Sequence, residues 1–391
     1  MYCQVGAFGR DFIGMSSGMD VASLQKIRKY CAVLLGIWLV GCVDGGSKAS
    51  QDKPKGPTVS VRQMELIQET LRTFPEGTEF SLGFIHDGKT HYFGARLVHG
   101  HSKEVANSDH LFEIGSITKV FTSTLLTSLV LEGQVRLEDP IQKHIGFRLG
   151  TAQEITFEQL ANHTSGLPRM PSNLDLFEDP DNPYRAYDDQ KMKEYLVNHL
   201  ALNHPPGTQY EYSNLGAGLL GSLVAELSGS PYDEFVRDKV FSEYEMLHST
   251  TDRTKIRGKL VPGLDPDGKE TPNWDFDALA GAGAVFSSVK DLAKFGNAQF
   301  DSTDTKLVMT QQPTFIPNDE FKVGLGWHIL NREDGKELLW HNGGTGGYSS
   351  SMALDVQSKQ GIIVLSNVSA FHPFRSSVDQ LCLSLMETLK K

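Results

Sequence analysis

The sequence has little cysteine, no cluster of positive charge and no catalytic metal signature. Its 391 residues include four cysteines, and 37 Lys and Arg stand against 48 Asp and Glu, which gives a formal net charge of −11. Nucleic-acid binders usually concentrate cationic side chains on one face. The excess of acidic residues therefore argues against a phosphate-binding surface, and we predict no nucleic-acid partner. The thirteen histidines form no His-Glu-x-x-His pattern, so a metallohydrolase is not indicated.

Long apolar runs are also absent. Residues 31–40 form an apolar segment that follows three cationic residues between positions 26 and 29, and it is too short to span a bilayer. It ends in Leu39-Val40-Gly41-Cys42, which resembles the lipobox of bacterial lipoproteins. The resemblance implies acylation of Cys42 and export to a membrane of the bacterial cell envelope, periplasmic or cell-surface, through a lipid anchor. The alternative is an ordinary signal peptide with a chance cysteine.

The cysteines agree with export without disulfides. Cys3 and Cys31 would leave with residues 1–41, and translation from Met19 would give the signal segment a more usual start. Cys382 belongs to an apolar stripe at helical spacing, which indicates core packing.

What is present indicates one large folded domain. We predict a signal peptide over residues 1–41, a flexible tether over 42–58, and a domain over 59–391. Its sheet part is expected at about 59–111 and 285–391, with a hairpin over 80–98 and three late strands over 338–341, 348–355 and 361–366. The middle, about 112–284, reads as mostly helical. A helix near each end of the domain completes an α+β fold with a helical insert.

The first candidate site is Ser116-Ile117-Thr118-Lys119. On a helix this spacing puts the two polar side chains on one face, so the Lys119 amine can reach the Ser116 hydroxyl. A lysine can act as a base only if its pKa, normally about 10.4, is lowered by burial or a nearby cation. Alone, the pattern is weak, because most such matches are surface helix.

Two further segments add to it. In Tyr212-Ser213-Asn214, the phenol could carry protons and the amide could hold Lys119 and a substrate carbonyl, although a helix cap is the simpler explanation. The segment His341-Asn342-Gly343-Gly344 ends a predicted strand. A glycine-bearing strand edge lets a substrate backbone lie alongside, and a main-chain N–H there can join that of Ser116 in an oxyanion hole.

Together these motifs resemble the serine β-lactamases of class C, the DD-peptidases among penicillin-binding proteins, and esterases of the same fold. Supporting matches occur at residues 137–140, 160–168 and 324–327. The resemblance implies a β-lactamase/transpeptidase-like fold and an acyl-enzyme formed at Ser116, with Lys119 and Tyr212 relaying the proton. It further implies substrate contacts by Asn214 and His341, an oxyanion hole completed by Gly344, and no metal or organic cofactor.

The substrate stays open at this point. Class C β-lactamases usually carry Lys-Thr-Gly where this chain has His341-Asn342-Gly343, and a histidine attracts a β-lactam carboxylate less strongly. The expected substrate is a β-lactam, a D-alanyl peptide of peptidoglycan or an ester. We expect the protein to be a monomer. A carboxylesterase and a non-turnover penicillin sensor or wall-binding lipoprotein are the alternatives.

Overall fold

An eight-stranded antiparallel sheet organises the domain. The computed structural model describes residues 59–256 and 258–389, so the predicted signal segment, Cys42 and the 42–58 tether lie outside the described residues. The strand order is β3-β2-β1-β12-β11-β10-β9-β8. The bounds are β1 Glu79–His86, β2 Lys89–Val98, β3 His101–Glu104, β8 Phe321–Val323, β9 His328–Asn331, β10 Glu337–Gly344, β11 Ser349–Asp355 and β12 Gln360–Ser366. The first and last strands of the chain therefore meet in the middle of the sheet.

The β1–β2 hairpin turns where the sequence predicts it. Asp87 and Gly88 both have positive φ, 49° and 73°, which is the backbone that a two-residue turn between twisted strands requires. The shorter strands β4 Phe112–Glu113, β5 Gly263–Leu264, β6 Glu270–Thr271 and β7 Phe286–Ser287 form two small ladders outside the large sheet. Three of these four strands lie inside the stretch expected to be mostly helical.

Helices cover both faces of the sheet. In chain order they are α1 Val61–Leu71, α2 Thr118–Leu131, α3 Phe157–Ala161, α4 Asp189–Glu194, α5 Asn214–Ser228, α6 Tyr232–Val236, α7 Ala280–Gly283, α8 Val289–Ala298, α9 Thr305–Gln311 and α10 Ser376–Thr388. Helix α10 packs against α1 and strands β11 and β12, while α8 packs against β1 and β12. Helices α8 and α9 lie within the range assigned to the sheet part, so that part is more helical than expected.

Successive side chains of β10 point to opposite faces of the sheet, so this strand contacts the helices on both faces. Residues 341 and 343 share the face of Met352 and Ile363, which meets the helical part of the domain. Asn342 shares the opposite face with Ser351, and its amide donates to Asp379 of α10 at 2.8 Å. Helix α2 packs against α5, α7 and α9 in the helical part, and twelve of its fourteen residues are buried. The α+β fold predicted from the sequence is confirmed.

No helix among the described residues combines enough length and hydropathy to cross a membrane. The terminal stripe is likewise placed as predicted, because Val378, Leu381, Cys382 and Leu385 are all buried in α10.

Candidate active site

The nucleophile candidate Ser116 sits on a tight turn at the start of α2. Gly115 has φ 50°, which a glycine adopts at little cost, and residues 115–117 form a 3₁₀ turn that continues into α2. In a 3₁₀ turn, residues three apart lie above one another, and this aligns Ser116 with Lys119. Ser116 stays partly exposed while its neighbours on both sides are buried, so its hydroxyl faces the cleft.

Lys119 is a buried amine with three partners. Its Nζ lies 3.0 Å from Ser116 Oγ, 2.9 Å from Asn214 Oδ1 and 2.8 Å from the Ala282 carbonyl oxygen. Burial, with the nearby Arg169 guanidinium, holds the pKa of Lys119 well below its ordinary value. A neutral amine has two N–H donors, which suit Asn214 and Ala282, and one lone pair, which then faces the Ser116 hydroxyl. This arrangement can accept the serine proton.

Tyr212 lies against the same pair. The Ser116 hydroxyl is near enough to lower the pKa of the Tyr212 phenol, and Lys119 Nζ lies 4.8 Å from the centroid of the Tyr212 ring. Burial raises the pKa of Tyr212 to about 12, while the Arg169 guanidinium, 5.0 Å from the ring centroid, acts to lower it. The phenol therefore keeps its proton near neutral pH and can pass it on only as part of a concerted relay.

Asn214 is positioned by a helix cap as well as by Lys119. It is the first residue of α5, and the Ser213 hydroxyl accepts from the Gly216 amide at 2.8 Å as the N-cap. The capping role and the active-site role thus fall on adjacent residues. The Asn214 side chain carries the contact to Lys119, and its amide nitrogen lies 3.4 Å from Met170 Sδ.

Strand β10 touches the nucleophile turn backbone to backbone. A Cβ on Gly343 would lie 2.0 Å from the Ile114 carbonyl oxygen and 2.8 Å from Ser116 N, and one on Gly115 would lie 2.5 Å from Gly344 N. Glycine is therefore required at both positions by close approach. Ser116 and Gly344 line the same cleft, which is the arrangement that two oxyanion N–H donors need.

His341 and Asn342 do not line that cleft. The His341 side chain is 1% exposed, and its Nδ1 lies 2.6 Å from the Asn342 carbonyl oxygen. Burial, with neighbouring His328 and Lys119, holds the pKa of His341 well below its ordinary value, so the ring is neutral. Asn342 points to the other face of the sheet, towards α10, because successive strand residues alternate. A contact of either side chain with substrate stays a prediction.

Sequence reasoning missed a cluster of histidines behind Tyr212. The His163 ring centroid lies 4.4 Å from that of Tyr212, and His328 lies 5.3 Å from His341. Burial lowers the pKa of His163 well below its ordinary value and that of His328 to about 4. Each of the three histidines leaves one ring nitrogen buried without a partner. In the described part of the chain, no group of histidine, cysteine and acidic residues is arranged to hold a metal ion.

The opposite wall of the cleft is aromatic and was also missed. Tyr184 stacks on Phe276 at 4.7 Å between ring centroids, and Trp274 lies 5.1 Å from Tyr184. The buried carboxylate of Glu113 accepts from the Trp274 amide at 3.0 Å and fixes this wall. Burial raises the pKa of Glu113 to about 7. Sequence offered one signal only, since Glu113 lies three residues before the nucleophile.

The cleft lining is otherwise uncharged, and it consists of Gly115, Ser116, Tyr184, Asn214, Trp274, Phe276, Leu279, Ala282, Gly283 and Gly344. A larger surface cleft elsewhere, lined by residues 246–250 among others, contains none of the predicted site residues. We assign the chemistry to the smaller cleft because it holds the partly exposed Ser116 hydroxyl, which contacts the buried Lys119 amine.

Comparison with known proteins identifies the family of this chain. The family model described as Beta-lactamase matches residues 67–383. The chain belongs to the Beta-lactamase family. The relative AmpH of Escherichia coli K12, named D-alanyl-D-alanine-carboxypeptidase/endopeptidase, is 26% identical over 293 residues, which cover 69% of this chain and 74% of AmpH.

A second relative is Protein flp of Staphylococcus aureus MW2, 26% identical over 277 residues, or 66% of this chain. The match spans about half of that relative, 53% of its length. Among solved structures, the Beta-lactamase/D-alanine Carboxypeptidase from Yersinia pestis superposes with a TM-score of 0.68 at 22% identity, covering 84% of this chain and 99% of its own. At that identity the likeness shows the fold. The relatives and the fold agree with membership of the Beta-lactamase family.

Proposed function

We propose that the protein forms an acyl-enzyme at Ser116 and hydrolyses D-alanyl peptides or β-lactams. The observation that carries the proposal is the Lys119 amine, which is buried, lies 3.0 Å from Ser116 Oγ and has a pKa held well below its ordinary value by burial. Ser116 Oγ attacks the carbonyl carbon as its proton passes to Lys119 Nζ. The N–H groups of Ser116 and Gly344 bind the oxyanion. As the bond between the carbonyl carbon and the leaving group breaks, Tyr212 gives its proton to that group and is reprotonated from Lys119. Water then releases the acyl group by the reverse relay.

The test is covalent labelling. The purified protein is treated with a fluorescent penicillin, and the adduct is located by peptide mass spectrometry. We expect one adduct at Ser116 that disappears in Ser116→Ala, with an unchanged melting temperature. No adduct from penicillin or from an activated ester would contradict the acyl-enzyme.

A carboxylesterase is the second candidate, because the cleft is walled by Tyr184, Trp274 and Phe276 and lacks a cationic residue on β10. Turnover of a cephalosporin, a D-Ala-D-Ala peptide and a butyrate ester decides between these activities. The fastest substrate names the activity, and an adduct that persists for hours without turnover would indicate a sensor instead.

We further propose that the protein is an exported lipoprotein anchored through Cys42, with peptidoglycan within reach. The support is the sequence Leu39-Val40-Gly41-Cys42 after a short apolar run. Metabolic labelling with an alkynyl fatty acid should mark the wild type and not Cys42→Ala, and equal labelling of both would contradict the anchor.

A further inference from the structure

Arg169 lies at the active site and has no role in the relay. It follows Pro168 at the end of one of the family-like segments, and its carbonyl accepts from the amides of Asn214 and Leu215 at 2.9 and 3.2 Å. The first turn of α5, which carries Asn214, therefore fixes the backbone of Arg169. Its guanidinium carbon lies 5.0 Å from the Tyr212 ring centroid.

The hydrogen-bonding capacity of Arg169 is unused. A guanidinium has five N–H donors, yet Nη1 is buried without a partner. Within residues 59–256 and 258–389, neither Nε nor Nη2 donates to a protein group, and neither is a buried orphan, so both face accessible space. A buried donor without a partner destabilises the folded protein, because it has lost its hydrogen bonds to water. An arginine kept in this state beside a nucleophile indicates a ligand that completes its bonding.

Arg169 is not among the residues that line the cleft, but its charge acts on two tyrosines beside the nucleophile. It acts to lower the pKa of Tyr212 and the pKa of Tyr184, which lines the aromatic wall. The other candidate cations are committed elsewhere. Lys119 uses its three contacts within the protein, and His341 is buried and neutral.

Arg375 is the remaining cation near Tyr212. It stands at the N-cap position of α10, where its charge opposes the rise that burial causes in the pKa of Asp379 on the same helix. Among the described residues neither arginine forms an ion pair, but only Arg169 has a buried nitrogen, Nη1, without a partner. This difference makes Arg375 a matched control.

We propose that Arg169 binds a carboxylate of the substrate and so selects acyl donors that carry one. The planar guanidinium matches a carboxylate in two parallel hydrogen bonds, which fixes orientation as well as adding attraction. Arg169 would thus take the part that a strand lysine has in relatives with Lys-Thr-Gly. The inference rests on the proposed acyl-enzyme chemistry and narrows its substrate class.

The first test measures binding without turnover. Ser116→Ala protein is titrated calorimetrically with N-acetyl-D-alanyl-D-alanine and with its C-terminal amide, which differ in the carboxylate alone. We expect at least tenfold tighter binding of the acid. Adding Arg169→Gln should reduce that ratio to less than threefold, Arg169→Lys should keep part of it, and Arg375→Gln should leave it unchanged.

The second test measures catalysis on a matched pair of thioesters, one of thioglycolic acid and one of its methyl ester, with the same acyl group. We expect Arg169→Gln to lower kcat/KM for the acid at least tenfold, mainly through KM, and for the methyl ester less than threefold. A ratio unchanged by Arg169→Gln, or one abolished by Arg375→Gln, would overturn the inference. An absence of Ser116 acylation with the binding ratio intact would refute the proposed function alone.

Discussion

Buried basic groups lie on both sides of Tyr212, and they differ in how completely their nitrogens are hydrogen-bonded. On one side, Lys119 is dehydrated and all its bonding positions are used, one of them on the Ser116 hydroxyl. On the other side, His163, His328 and His341 are dehydrated too, yet each leaves a ring nitrogen idle. Loss of charge alone therefore does not make a base. A base also needs a lone pair aimed at the hydroxyl that reacts, and of these four groups only Lys119 contacts the Ser116 hydroxyl.

The largest effect should come from Lys119→Met, which keeps the length and apolar stem of the side chain and removes the amine. We expect kcat/KM to fall about a thousandfold or more, because the serine loses its base. Steady-state kinetics with the fastest substrate measures the loss. Lys103→Met, at an exposed position of β3, is the control and should keep wild-type activity. Activity within tenfold of wild type in Lys119→Met would break the comparison.

A pair of tyrosine variants separates the two sides. Tyr212→Phe removes the hydroxyl beside Ser116 and keeps the ring, so we expect about a hundredfold loss of kcat at unchanged melting temperature. Tyr210→Phe removes a hydroxyl that lies 2.7 Å from His328 Nε2, on the histidine side. That change should cost no more than about tenfold. Equal losses in the two variants would mean that the histidines join the relay.

The contact between β10 and the nucleophile turn is tested by Gly343→Ala. Its Cβ would meet the Ile114 carbonyl oxygen, so the turn or the strand must move, and we expect about 1–3 kcal/mol lower stability together with lost activity. Denaturant unfolding and acylation rates measure both. Gly146→Ala is the control, since no atom lies within 4 Å of a Cβ there. A Gly343→Ala protein as stable and active as wild type would contradict the close approach.

The smallest effect is a pH dependence on the histidine side. The pKa of His328 falls from 6.5 to about 4 on folding, so the unfolded chain binds more protons between these values. Stability from this group is complete above pH 6.5 and is lost as the pH falls towards 4, by up to about 3 kcal/mol.

Unfolding of wild type and His328→Gln, compared from pH 7.5 to 4.5, measures this contribution. The wild type should lose more stability on acidification than the variant does, and parallel curves would show that His328 does not titrate in this range. Glu113, with a pKa raised to about 7, is present in both proteins, so its contribution cancels in the difference.

Sequence predicted the parts of the site that a local pattern encodes. A local backbone pattern was enough in three cases: the helical spacing of Ser116 and Lys119, the helix cap at Ser213, and the glycines of strand β10. Arg169 and His328 were missed because single residues in loops and strands reach the site only through tertiary packing. His341 is the opposite case, because a local motif suggested a substrate contact for a side chain that does not line the cleft. Its burial depends on neighbours in space that the local pattern does not reveal.

The same division holds for the fold: the elements with a strong local pattern were predicted, and those that depend on long-range packing were not. Alternating strands and the turn at Asp87-Gly88 identify the sheet, and the stripe around Cys382 identifies the closing helix. Helices α8 and α9 fall inside the range that the sequence assigned to the sheet part. Helix α8 packs on β1 and β12 and α9 packs on α2, and these contacts join residues far apart in the sequence.

With its buried thiol, Cys382 can serve as a probe of local opening at the C-terminal helix. Its side chain is 0% exposed, its Sγ lies 3.5 Å from the Ile362 carbonyl oxygen, and burial raises the pKa of the thiol above its ordinary value. A thiol reagent can reach it only when α10 separates from β12. The rate at which the peptide containing Cys382 becomes alkylated therefore reports how often the closing helix detaches, and a bound substrate that tightens the sheet would slow that rate.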